Sequence, residues 1–159
     1  MRTVALRASL TVATALWLFS PFLIPQAFTS GMPDDEVEAI RRSGLVHDLG
    51  RVGVENGIWD KPGPLSVDEW EKVRLHTYLT DRILSRCEYL RGLARTAARH
   101  HERPDGMGYH QRLERPNLSL GDQILAASSA YVAMTSDRPH RPALLPQDAA
   151  SELEKGIAE

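Results

Sequence analysis

The sequence predicts an all-α fold, and three observations support this prediction. Beyond residue 33, apolar residues recur at three- and four-residue steps, helix start signals precede several of these stretches, and no stretch alternates apolar and polar residues as strands do. The 159 residues correspond to one domain that is long enough to bury a core. We therefore expect one helical domain with one functional site.

The first 31 residues form an apolar segment that we separate from a domain at 32–159. No charged residue lies between Arg7 and Asp34. Two prolines interrupt the apolar run before the roughly 20 residues that a membrane-spanning helix needs. Three interpretations stay open: a membrane anchor or uncleaved export signal over residues 8–28, a core helix, or a segment foreign to the domain that follows.

The first helix of the domain begins at Pro33, which three acidic residues follow. Proline is favoured in a first turn, and acidic side chains there complement the helix dipole. This helix is predicted to continue to His47-Asp48, with an inner face made by Val37, Ile40, Gly44 and Leu45.

A loop and a second, longer helix are predicted next. Glycines and the run Lys61-Pro62-Gly63-Pro64 exclude a long helix, and a capping box from Ser66 to Glu69 starts the next one, which we expect over about 67–85. Its inner face is predicted to carry Trp70, Val73, His76 and Ile83, so that His76 points inward.

Three further helices complete the predicted domain. One runs over about 88–101, and its inner face carries Leu90, Leu93, Ala94, Ala97 and His101. A turn at 104–108 ends it. The next is expected over about 120–135, and the last opens at Pro146 and stops near Gly156.

The composition argues against nucleic acid as a partner. The 19 basic and 21 acidic residues are intermixed and give a net charge of −2, so the chain has no large positive field. Cys87 is the single cysteine and cannot form an internal disulfide, which fits a reducing cytoplasm.

The histidines are the unusual feature of the sequence. His47-Asp48 at a helix end, His76 on an inner face and the pair His100-His101 supply one carboxylate and four imidazoles, which are ligands of borderline transition metals. Each piece alone is more often structural, as a hydrogen-bonded pair, a packed core residue or a helix end. Together they predict a metal site.

The order of these segments resembles the HD-GYP family of the HD superfamily. The matching segments span about Pro33 to Glu152 and are His47-Asp48-Leu49-Gly50-Arg51-Val52-Gly53, Lys61-Pro62-Gly63-Pro64-Leu65, His76, His100-His101-Glu102-Arg103-Pro104-Asp105-Gly106-Met107-Gly108-Tyr109, and Thr135-Ser136-Asp137-Arg138-Pro139-His140-Arg141. The resemblance implies a helical bundle with a Gly-Tyr-Pro motif loop. It also implies a metal-dependent phosphodiesterase that opens cyclic di-GMP, with a binuclear or trinuclear iron or manganese centre.

The resemblance further implies two neighbouring metal positions, of which only one has all its family ligands in this chain. One ion would be held by four ligands that are all present: Asp48, His76, His100 and His101. The other would take His47, Asp48, a later aspartate and an upstream histidine or glutamate. Ser129 stands at the aspartate position, and the apolar N-terminus offers no upstream candidate, so we expect this position, the first of the two family sites, to be weak or empty. Asp122 lies seven residues before Ser129 and is too far along the helix to replace it.

Other family positions implied by the resemblance concern the ligand. Arg51 stands where relatives usually have lysine and keeps a cation that could meet a phosphate. Asp48 and Arg51 are the two residues assigned to catalysis. Tyr109 would either stack on a guanine or cap the turn, and the Gly108-Tyr109 loop could also meet a protein partner. His110 replaces the proline of the motif. Arg138 and Arg141 stand where relatives contact phosphates, although a surface position is an equally good interpretation.

Three functions therefore remain open. The first is an active or weakly active phosphodiesterase, favoured by the four intact ligands. The second is a non-catalytic module that binds a cyclic dinucleotide or a protein, favoured by Ser129 and the missing upstream ligand. The third is a gene product whose N-terminus comes from a different reading frame, because the family likeness begins abruptly near Gly31.

Overall fold

The computed structural model describes residues 31–137 and 141–158, and these residues confirm the predicted all-α fold. The elements are α1 (Asp34–Val46), a 3-10 helix (Leu49–Gly53), α2 (Asn56–Trp59), α3 (Val67–Leu84), α4 (Arg91–Ala98), a second 3-10 helix (Arg115–Asn117), α5 (Leu120–Thr135) and α6 (Pro146–Ala158). Within the described ranges the only β-type pairing is an isolated bridge between Asp105 and Glu114. The predictions for the apolar segment, including the anchor over residues 8–28, fall on residues outside these ranges.

Side-chain caps fix where the two longest helices begin. Ser66 accepts a hydrogen bond from the Glu69 backbone N–H, and the Glu69 carboxylate accepts one from the Ser66 N–H, as the predicted capping box requires. Ser119 and Asp122 form a second reciprocal box at the start of α5. α1 begins after Pro33 without a side-chain cap, and its first turn carries only the three predicted acids.

The buried face of α3 differs from the predicted one. Val73 and His76 are buried as expected, but Trp70 is 47% exposed and Ile83 is 37% exposed. The buried stripe continues instead through Thr77, Thr80 and Leu84. Ile83 lies about 80° round the helix from the centre of this stripe. The prediction was wrong because two threonines, which read as polar residues, occupy inward positions.

Two other helical predictions need correction. Leu45 was expected on the inner face of α1, yet it is 46% exposed, and Ser43 takes the buried place beside Gly44. The helix predicted over about 88–101 is shorter, because α4 covers only Arg91–Ala98. His100 and His101 therefore lie in the turn that follows α4.

Among the residues that the structure describes, three small apolar clusters hold the helices together. α1 packs on α5 through Val37, Ile40, Ile124 and Leu125. α3 packs on α4 through Leu84, Ala94 and Ala97, with Val46 and Leu90 at the edge. A third cluster joins Val54, which follows the first 3-10 helix, and Ile58 of α2 to Val73 of α3. These contacts bring the end of α1, the middle of α3 and the end of α4 to one place.

Gly50 lets the first 3-10 helix lie directly on α3. A Cβ atom at this position would overlap the His76 carbonyl oxygen and the Thr80 backbone nitrogen. Only glycine permits this approach, and the approach places the His47-Asp48 turn against the His76 side of α3.

Within the described residues, no helix combines the length and the apolar character needed to span a bilayer.

Candidate metal centre

The five residues predicted as metal ligands converge in one pocket. One carboxylate oxygen of Asp48, Oδ1, lies 3.6 Å from Nε2 of His76 and 3.6 Å from Nε2 of His100. The other oxygen, Oδ2, lies 3.8 Å from Nε2 of His47. Asp48 therefore faces different imidazoles with its two oxygens, which is the geometry of a carboxylate that can bridge two ions.

The ligand atoms form two groups, each compact enough to hold an ion. His76, His100 and His101 make one group, and His47, Asp48 and His100 make the other, with the donor atoms of each group within 4.8 Å of one another. His100 belongs to both groups.

Backbone carbonyls orient three of the four imidazoles. The Nδ1 atoms of His47, His76 and His100 lie 2.7, 2.5 and 2.7 Å from the carbonyl oxygens three residues earlier, those of Gly44, Val73 and Ala97. A carbonyl can only accept, so each Nδ1 carries the proton and donates it. A ring that donates from Nδ1 presents, when it is neutral, the lone pair of Nε2 to the pocket, as a metal-binding histidine does.

The protonation states in the pocket favour a cation. Burial, and after it the neighbouring His100 imidazole, lowers the pKa of His47 and of His76 to about 4. The same causes hold the pKa of His101 well below its usual range. Burial by itself would raise the pKa of Asp48, but the His100 and His47 imidazoles outweigh it and hold that pKa well below its usual range. At neutral pH the pocket therefore holds the neutral imidazoles of His47, His76 and His101 beside the ionised Asp48 carboxylate, the protonation states that metal binding requires.

One close contact shows that these residues fit a divalent metal. Nε2 of His76 lies 3.2 Å from Nε2 of His100. Because both Nδ1 protons go to carbonyls, two nitrogen lone pairs face each other at this distance when the rings are neutral. For metal–nitrogen bonds of about 2.1 Å, neighbouring ligand atoms lie about 3.0–3.4 Å apart in octahedral and tetrahedral geometries. A cation between the rings would turn this repulsion into coordination.

Thr80 ties the pocket to α3. Its hydroxyl is fully buried, donates to the His47 carbonyl at 2.9 Å and accepts from the Gly50 N–H at 2.9 Å. One side chain therefore holds both ends of the turn that carries Asp48. Sequence reasoning missed it, since an inward threonine on a helix has no distinctive pattern.

Arg51 lies at the edge of the pocket, between Asp48 and a tryptophan that sequence reasoning also missed. Its Nη1 lies 3.1 Å from Oδ2 of Asp48, and its guanidinium carbon lies 4.1 Å from the centre of the Trp59 ring. The Trp59 ring in turn meets the His76 ring edge-on, with centroids 5.7 Å apart. Arg51 thus keeps a positive charge beside the carboxylate while its planar group rests on an aromatic face.

Tyr109 packs on the pocket from the motif loop. Its ring stacks on His101 with centroids 4.8 Å apart and an interplanar angle of 24°. His110, which replaces a proline, places Nδ1 3.1 Å from the Thr77 hydroxyl on α3. The loop therefore contacts both the ligands and the helix behind them.

The structure describes three of the four remaining predicted positions. Ser129 is half-buried on α5, and Asp122 is buried in an ion pair with Arg99 at 3.0 Å, so Asp122 already has a structural partner. Arg141 donates from Nη2 to the Ala133 carbonyl at the end of α5. Arg138 falls outside the described residues.

Comparisons with known proteins identify a matching family and similar sequences. The profile of the family described as "HD domain" matches residues 23–158. The chain is 36% identical over 118 residues to the 3'3'-cGAMP-specific phosphodiesterase 3 of Vibrio cholerae, covering 74% of this chain and 26% of that protein. It is 35% identical over 126 residues to a cyclic di-GMP phosphodiesterase of Thermotoga maritima, covering 78% of this chain and 34% of that protein. It is 37% identical over 111 residues to a cyclic di-GMP phosphodiesterase of Pseudomonas aeruginosa, covering 69% of this chain and 27% of that protein. The chain thus spans about a quarter to a third of the length of these curated relatives.

Proposed function

The chain belongs to the HD domain family, as its resemblance to the HD-GYP type predicted, and from this premise we propose that it is a metal-dependent phosphodiesterase that opens cyclic dinucleotides. The observation that carries the proposal is the Asp48 carboxylate, whose two oxygens face His76 and His100 on one side and His47 on the other.

The chain's own residues divide the work between holding cations and meeting phosphate. The ionised Asp48 and the neutral imidazoles of His47, His76, His100 and His101 would hold the cations. Arg51 adds a fixed positive charge 3.1 Å from Asp48 that can meet a phosphoryl oxygen during the reaction. Tyr109 and the two arginines of the 138–141 stretch are the proposed contacts for the remaining parts of the ligand.

Iron or manganese is the cofactor that we propose. Imidazole and carboxylate together suit these ions, and a pair of them bridged by one carboxylate is typical of phosphodiester hydrolysis. When bound, such ions supply Lewis-acid stabilisation of the phosphoryl oxygens and activate water at neutral pH. Hydrolysis then adds one water across one phosphodiester bond and gives a linear dinucleotide.

The group around His47 is the weaker half of the proposed centre. Besides the shared His100 it has only His47 and one oxygen of the bridging Asp48, and Ser129 stands where relatives are expected to carry a further carboxylate. A serine hydroxyl is a poor neutral ligand, so we propose reduced activity compared with a complete centre. The same observation favours the second candidate, a module that binds cyclic dinucleotides without cleaving them.

The proposed setting follows from the substrate. Cyclic dinucleotides are the proposed partner, the Gly108-Tyr109 loop is the proposed surface for a protein partner, and the cytoplasm is the proposed location of the reaction. The charge balance gives no reason to propose nucleic acid.

One experiment separates the two candidates. The purified chain is loaded anaerobically with Fe²⁺ or with Mn²⁺, its metal content is measured, and it is incubated with cyclic di-GMP or with 3'3'-cGAMP. The proposal expects a linear product from at least one of these substrates and loss of that product in the His101→Ala variant. A chain that binds metal and cyclic dinucleotide yet forms no linear product would support the non-catalytic module instead.

A further inference from the structure

Glu102 is a buried carboxylate that the proposed mechanism does not use. It follows the ligand pair His100-His101 directly and is only 3% exposed. Its Oε1 accepts the backbone N–H of Gln111 at 2.6 Å, and its Oε2 accepts that of Leu113 at 2.8 Å. A buried carboxylate is costly unless it is fully hydrogen-bonded, and these two charge-assisted bonds supply that compensation.

Two backbone contacts close the same loop onto the ligand pair. The Tyr109 N–H donates to the His101 carbonyl at 3.1 Å. A Cβ atom at Gly108 would overlap the backbone of Glu102 and Arg103, so this glycine lets the loop approach closely. Residues 103–113 therefore form a loop that leaves the ligand pair and returns to it. The Glu102 side chain anchors the returning segment at Gln111 and Leu113.

His101 differs from the other imidazoles in how it is held. The other three donate Nδ1–H to a carbonyl, but within the described residues the His101 ring has no hydrogen-bond partner. Ring contacts hold it instead. It lies between His100, with centroids 4.2 Å apart, and Tyr109, with centroids 4.8 Å apart.

We propose that Glu102 is a positioning residue for the metal centre, because it anchors the loop that stacks Tyr109 on His101. The loop thereby supplies His101 with the orientation that a backbone carbonyl gives to the other imidazoles. The inference rests on the proposed function in one respect, namely that His101 holds an ion. Residues that orient metal ligands typically change metal affinity about 10- to 100-fold when they are lost.

The test uses Glu102→Gln, which keeps the shape of the side chain and removes its charge. Glu114→Gln is the matched control, since Glu114 directly follows this loop and is exposed. Two quantities are measured: the Kd for Mn²⁺ by titration, and the ¹H–¹³C signals of the His101 ring in metal-free protein, assigned from a His101→Ala spectrum. Glu102→Gln is expected to weaken Mn²⁺ binding about tenfold and to remove the ring-current shift that Tyr109 imposes on His101. Glu114→Gln is expected to match the parent chain in both.

The inference is overturned if folded Glu102→Gln keeps the parent Mn²⁺ affinity, or if it keeps the His101 signals of the parent. If Glu102→Gln fails to fold, Tyr109→Leu replaces it, with Tyr109→Phe as the variant that keeps the ring. Unchanged His101 signals and unchanged affinity in Tyr109→Leu would then overturn it. A parent chain that binds no Mn²⁺ refutes the proposed function, and the His101 signals of the metal-free variants still decide whether Glu102 positions the ring.

Discussion

Replacing Thr80 with valine exchanges only a hydroxyl for a methyl group, yet it should destabilise the domain strongly. Valine has the same shape, so no cavity forms, but the buried Gly50 N–H loses the acceptor that it has at 2.9 Å. A buried donor left without its partner costs about 1–3 kcal/mol, and the lost hydrogen bond to the His47 carbonyl adds about 0.5–1.5 kcal/mol. We expect the free energy of unfolding to fall by about 3 kcal/mol, which for a chain of this size lowers Tm by about 6–12 °C.

The measurement is urea unfolding of metal-free protein followed by far-UV circular dichroism, with a chelator present. Thr135→Val is the control, because among the described residues the Thr135 hydroxyl donates only to carbonyls of its own helix and accepts from no backbone N–H. This control is expected to change the free energy of unfolding by about 0.5 kcal/mol or less. A second readout is the Mn²⁺ affinity, which Thr80→Val should weaken about tenfold, since the turn that carries Asp48 loses its tie to α3.

Equal midpoints for Thr80→Val and the parent chain would refute this reasoning. They would show that water or a backbone shift satisfies Gly50 without cost, and that the hydroxyl does not hold the turn. A large loss of stability with unchanged Mn²⁺ affinity would refute only the link from the turn to the metal centre.

Three further outcomes are expected. Ser129→Asp should lower the Tm of the metal-free protein, and Mn²⁺ should raise the Tm of this variant by more than it raises that of the parent, because the added carboxylate needs a cation. Full hydrolysis should not return. A variant whose Tm does not change on adding Mn²⁺ would contradict this expectation. The stability of the metal-free protein should fall as the pH drops from about 6.5 to about 4, because the pKa values of His47 and His76 are lowered to about 4 in the folded chain and the unfolded chain therefore binds more protons in this pH range. Thermal melts across this pH range measure the effect, and Tm should depend less steeply on pH in the His47→Gln variant. Bound Mn²⁺ should quench Trp59 fluorescence, since the Trp59 and His76 ring centroids lie 5.7 Å apart. Most of the quenching should vanish in Trp59→Phe and persist in Trp70→Phe. Equal quenching in both variants would argue against a metal ion at His76.

The sequence predicted the fold where local signals are strong. Helix starts at Ser66 and Pro146 follow from capping and proline chemistry, and the structure confirms both. The inner face of α3 was wrong, because its stripe depends on Thr77 and Thr80, whose hydroxyls bond to groups that are distant in sequence. Tertiary partners of this kind leave no periodic pattern.

The candidate site was likewise predicted only in part from the sequence. The convergence of His47, His76 and His100 was predicted, because motif order and helix spacing place them on facing surfaces. The contributions of Trp59 and Glu102 were not predicted, because a ring beneath an arginine and a carboxylate that binds loop amides depend on how the loops fold back. The contacts that orient the ligands are therefore visible only in three dimensions.

The membership of His100 in both ligand groups has a consequence for how the centre fills with metal. Its Nδ1 is committed to the Ala97 carbonyl, so only the single lone pair of Nε2 is available, and one lone pair cannot bond to two ions at once. In this arrangement an ion in one group takes a ligand away from the other. Loading should therefore be sequential and anticooperative, with a tight first equivalent and a much weaker second one, and the concentration of free metal would then decide how many ions each chain carries.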